Sequence, residues 1–153
     1  MKNIKIISLL IMLFSLQSLS AQQHGKYYFN KTINGTFDDV TDKVKSTLKE
    51  QGFGIITEID MHTKLKEKLG DIGMKPYKIL GACNPSYAYQ TLQVEENIGV
   101  FLPCKVLVKD LGDGNIEVVM VNPSALMNML GNEELEKIAQ KVTGKFLAAL
   151  EKL

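Results

Sequence analysis

The segment from Lys105 to Val121 constrains the fold more than any other. Its two arms, Lys105 to Asp110 and Ile116 to Val121, are dominated by β-branched residues, and Leu111-Gly112-Asp113-Gly114-Asn115 between them tolerates positive φ. A hairpin follows, so two strands must be adjacent and antiparallel, and a sheet has to form around them. The period of two sets Cys104, Val106 and Val108 on one face, opposite Lys105 and Lys109. Cys104 is therefore expected on the buried face.

The rest of the chain supplies partners for this hairpin. Lys26 to Thr36 reads as an edge or first strand ending at Asn34-Gly35. Phe37 to Gln51 carries Phe37, Val40, Val44 and Leu48 at helical spacing, with Asp38 and Asp39 early and Lys45 and Lys49 late, the charge order that suits a helix dipole. Phe53 to Asp60 has apolar residues on both faces and reads as a central strand covered in part on each side. Asp60 can cap a short helix, Met61 to Leu69, and Asp71 to Pro76 is a loop. Tyr77 to Ala82 is an apolar strand that runs straight into a helix, because Asn84 suits the N-cap and Pro85 the first helical position.

After the hairpin, Asn122-Pro123 opens a short helical turn containing Met127, Met129 and Leu130. Leu135, Ile138, Ala139, Val142, Phe146 and Leu150 then form the apolar stripe of a final helix that packs on the sheet. The order β-α-β-α-β-α-β-β-α predicts an α+β protein with a mixed β-sheet packed with helices.

With 153 residues, 45% of them hydrophobic, the chain has material for one well-packed domain. That domain is expected over residues 22–153. Lys2 and Lys5, an apolar run from Ile6 to Leu19, and Leu19-Ser20-Ala21 before Gln22 read as a signal peptide over residues 1–21. Export to the periplasm or the extracellular space is the expectation, with no stable membrane span after cleavage. All basic residues are lysines. Without a guanidinium fork or a lysine-rich run, nucleic acid is a poor partner, and so is an anionic membrane surface. No Gly-x-Gly-x-x-Gly, P-loop or Gly-x-Ser-x-Gly pattern occurs, which leaves dinucleotide, nucleotide and serine-hydrolase chemistry without support.

The chemistry-bearing residues gather around the only two cysteines. Cys83 stands at the lip of a helix N-terminus, where unpaired N–H groups favour a thiolate and make it a candidate for a lowered pKa. Glu58, near the end of a covered strand, must be paired, hydrogen-bonded or at a cleft, since a lone buried carboxylate is costly. Pairing with a lysine is its structural explanation. Tyr87 and Tyr89 are candidates to line a cleft near Cys83, or to serve packing. His62 lies close to Glu58 in sequence, whereas His24 is far from both; neither forms an H-x-x-x-H pair. Met120, Met127 and Met129 have apolar neighbours and read as core filling rather than soft-metal ligands.

Gly81-Ala82-Cys83-Asn84-Pro85 followed by Leu102-Pro103-Cys104, with Phe53-Gly54-Ile55-Ile56-Thr57-Glu58-Ile59-Asp60 upstream and Ile98-Gly99 between, resembles the DUF302 family, also called TT1751-like. The resemblance runs from Phe37 to Val121 and more loosely through the final helix. It implies an α+β fold, a homodimer and an activity not yet assigned, and it draws Glu58 into the pattern. The family usually carries an asparagine where this chain has Lys105.

Three roles for Cys83 and Cys104 follow. One is a small exported binding domain whose ligand, a small molecule or a metal, sits at the Cys83/Cys104 cleft. Cys83 and Cys104 are its metal ligands, with Glu58 or Asn84 completing the site around a soft or borderline ion. The second is a structural disulfide, worth about 3 kcal/mol by the loop-entropy model. The third is a thiol-based redox enzyme in which Cys83 attacks and Cys104 resolves, although their spacing is unlike C-x-x-C. The sequence singles out no cofactor and no other catalytic residue.

Overall fold

The computed structural model describes residues 27–153. The expected signal peptide over residues 1–21 lies outside the described residues. The elements are β1 (Tyr28–Asn34), α1 (Phe37–Glu50), β2 (Gly54–Asp60), α2 (Met61–Leu69), β3 (Tyr77–Cys83), α3 (Pro85–Val94), a 3₁₀ helix (Glu96–Phe101), β4 (Cys104–Gly112), β5 (Asn115–Val121), α4 (Pro123–Asn128) and α5 (Glu133–Glu151). Among the described residues no helix is long and apolar enough to cross a membrane.

The five strands form one sheet in the order β1-β5-β4-β3-β2. The α+β class holds, but the sheet is not mixed: every neighbouring pair is antiparallel. The reason lies in the connections. α1 crosses from β1 at one edge to β2 at the other, so the two strands it joins never become neighbours. α3 and the 3₁₀ helix instead make an excursion that returns to the sheet end it left, since Ala82 lies opposite Cys104. The hairpin forms as its sequence requires, with Val106 opposite Met120 and Val108 opposite Val118. Positive φ at Gly112, Asp113 and Gly114 makes the turn.

Phe29, Met120, Val106 and Leu80 sit in register across four strands and form the central row of the core. α1 and α5 pack on this face through Val44, Leu48, Phe146 and Leu150, all fully buried. The rings of Phe53 and Phe146 stand 4.8 Å apart. Asn132 caps α5 by accepting from the amides of Glu134 and Leu135. Lys31, from β1, donates to the carbonyls of Leu150 and Glu151 at the other end of the helix. Both termini of α5 are thereby satisfied, and its N-terminal acids suit the dipole.

β2 departs from expectation. It is an edge strand, not a central one, with Ile56 60% and Ile59 41% exposed. Glu58 and Asp60 explain why: they extend core-facing rows to the rim, where Lys45 and Lys78 neutralise them. Asp60 makes no side-chain cap to α2; its carboxylate is 3.2 Å from the Lys78 ammonium. Met120 and Met127 fill the core as expected, whereas Met129 is exposed.

Candidate functional site

Two apolar clusters make up the interior. The larger lies between the sheet and helices α1 and α5; the smaller joins Ile98, Met127, Leu135 and Ala139. Between them is a cavity of about 290 Å³ at the sheet end where β3 leaves and β4 enters. Its existence follows from side-chain size. Ala82 and Cys104 on the sheet, Ala88 on α3 and Ala139 on α5 are small residues at facing positions, so the elements meet without filling the space. Phe53, Tyr87, Ile98, Leu102, Met127 and Val142 complete an apolar wall, and Val100 and Phe101 form a solvent-exposed lip.

Local sequence fixes this corner. Asn84 Oδ1 accepts from the Tyr87 amide at 3.2 Å, capping α3, while its Nδ2 donates to the Gly52 carbonyl at 2.9 Å. Asn84 thus ties the start of α3 to the turn before β2. Asn84→Ala loses both bonds and is expected to cost about 1–2 kcal/mol, measurable by urea denaturation, with Asn84→Asp recovering the cap but not the tie to Gly52. Thr91 turns its hydroxyl back onto the Tyr87 carbonyl and offers the cavity little polarity. Gly81 permits the closest approach in the motif, because a Cβ there would lie 2.5 Å from Pro103 Cγ and nearer still to Thr57 Oγ1.

The structure brings Cys83, Cys104 and Asn84 together around the cavity, and both cysteines are free thiols. Glu58 is not with them. Gly54 faces Cys83 across the β2–β3 pair, and Glu58 lies four residues farther along, about 13 Å of strand. Its carboxylate is 2.8 Å from Lys45 Nζ and 4.0 Å from Lys78 Nζ, the structural pairing that a rim carboxylate requires. His62 is likewise elsewhere, with Nδ1 accepting from the Tyr77 amide at 3.1 Å. Tyr87 lines the cavity; Tyr89 is 66% exposed and does not. Among the described residues no group of three or more His, Cys, Asp or Glu side chains is arranged to hold a metal.

The expected lowering of the Cys83 pKa is overturned. Burial pushes this thiol up, since desolvation disfavours the thiolate. Cys104 is pushed up to about 11 from 9.0, first by burial and then by the neighbouring Cys83, with Lys105 opposing. Both are neutral thiols at pH 7, which argues against an activated nucleophile. Sequence reading missed the walls of the site. Ala88, Ala139 and Met127 belong to three different helices, and their only signal was small or flexible residues on otherwise bulky apolar stripes.

Residues 29–153 match the family described as a domain of unknown function, DUF302. The chain is similar to the crystal structure of an uncharacterized conserved DUF302 protein from Bacillus stearothermophilus. The two share 27% identity with a TM-score of 0.76, over 84% of this chain and 98% of that one. No curated protein matches.

Proposed function

The chain belongs to the DUF302 family, and from that premise we propose that it is an exported small binding domain whose site is the cavity lined by Cys83 and Cys104. The ligand is small and largely apolar. One observation carries this reading: an apolar cavity of about 290 Å³ at the seam between the two clusters, with both cysteines in its lining. Engineered apolar cavities of about 150 Å³ take up benzene, so this one has room for a larger aromatic or branched aliphatic molecule. The apolar lip at Val100 and Phe101 supports entry from that side.

A neutral naphthylamine dye, fluorescent in apolar surroundings, tests the reading. Saturable binding of one dye per chain is expected, and Ala88→Phe, which fills the cavity from a half-buried position on α3, should weaken it at least about tenfold while circular dichroism stays native. Absence of saturable binding, or binding indifferent to Ala88→Phe in a folded protein, would sink the reading. Export, which the N-terminal segment suggests, and a homodimer, which the family resemblance suggests, belong to the same proposal.

A further inference from the structure

We propose that the sheet face turned away from α1 and α5 is the interface between two copies of this chain, centred on Ile79 and Leu107. This rests on the homodimer in the functional reading, and it assigns the surface through which the copies meet.

Alternation along the strands sends Leu80, Val106 and Met120 into the core and their chain neighbours to the opposite face. There Ile59 stands opposite Ile79, Ile79 opposite Leu107, and Leu107 opposite Val119, an apolar row in register across four strands. On a solvated face of an antiparallel sheet those positions would be polar. Among the described residues, none of these four joins either apolar cluster of the interior. Ile59 is 41% exposed, Ile79 and Leu107 are half-buried, and Val119 is buried.

The charges beside this row are matched within the face. Asn30, opposite Val119, donates to Glu117 Oε1 at 2.7 Å. Lys109, opposite Glu117, lies 2.5 Å from the other carboxylate oxygen. On the other side of Leu107, the Lys105 ammonium donates to the Pro103 carbonyl at 2.7 Å. A face whose ions are already paired with one another can be covered by an apolar surface without stranding a charge.

Size and symmetry favour a second copy as the cover. Five strands of at least seven residues span about 24 Å by about 24 Å, so two stacked faces remove about 1,100 Å² from water, just above the roughly 1,000 Å² expected of a specific interface. Twisted sheets stack when their twists match, at about −30°, and the chain's own sheet supplies the matching twist. A two-fold axis beside Leu107 sets the apolar row of one copy across the same row of its partner, and the contact closes with two copies.

Sedimentation velocity of the purified protein from about 1 μM to about 100 μM tests this. A dimer is expected, and Leu107→Lys should raise its dissociation constant at least about 100-fold while circular dichroism stays native, because the new ammonium is buried without a partner. Ile59→Lys, on the edge strand, should raise it about tenfold, and serves if Leu107→Lys does not fold. A dimer undiminished by these changes in folded protein overturns this interface and leaves the homodimer standing. A wild type that stays monomeric throughout removes both. Dye binding by the same samples reports on the cavity separately, and should survive Leu107→Lys.

Discussion

Gly81→Ala is expected to destabilise the protein by about 3 kcal/mol, the upper end for overpacking a filled site. The added methyl would stand 2.5 Å from Pro103 Cγ and closer to Thr57 Oγ1. Thr57 is paired with Gly81 in the β2–β3 ladder, just past an irregularity in that register, and Pro103 directly precedes Cys104 at the start of β4. The Pro103 ring cannot retreat without moving the start of β4, and Thr57 must leave its rotamer. Urea denaturation of Gly81→Ala beside the doubles Gly81→Ala/Thr57→Ala and Gly81→Ala/Pro103→Ala measures this, and each double should recover part of the loss. A near-neutral Gly81→Ala would mean that Pro103 moves freely. The consequence reaches the cavity, because Pro103 directly precedes Cys104 in its lining. Two parts of the sequence motif, the glycine before Cys83 and the proline before Cys104, are thus halves of one packing contact.

Local signals were legible in the chain where a single element settles them. The hairpin formed as read because turn glycines and β-branched arms act within 17 residues. Asn84 caps α3 and the stripe from Leu135 to Leu150 is buried, since both depend on spacing along one helix. What the chain did not disclose depends on which elements become neighbours. The apolar residues of β2 suggested a central strand, yet α1 carries the chain across the whole sheet and leaves β2 at the edge, so Glu58 meets Lys45 rather than the cysteines. The charge state of Cys83 was misjudged for a related reason. How far the sulfur is buried depends on which elements cover it, and that burial raises its pKa. The cavity itself is non-local, because its small residues come from separate elements and each alone looks like ordinary core.

Raising the pH from 9 to 11 is expected to remove about 2 kcal/mol of stability through Cys104 alone. In the unfolded chain this thiol loses its proton near 9.0; in the native protein burial, then the neighbouring Cys83, holds the proton until about 11. Between those values the unfolded state binds fewer protons than the native state, so stability falls as pH rises. Below pH 9 both states are protonated and the group contributes no pH dependence. Tyrosines and lysines titrate in the same range, so the quantity to measure is a difference: urea midpoints of reduced wild type and Cys104→Ala at half-unit steps from pH 8 to 11. The two curves should run parallel below pH 9 and converge above it, by up to about 1.4 kcal/mol per unit. Parallel curves throughout would mean that Cys104 ionises as freely in the native protein as in the unfolded chain. The same burial that keeps the thiol neutral keeps charge out of the cavity wall at pH 7, in keeping with the apolar ligand proposed for it.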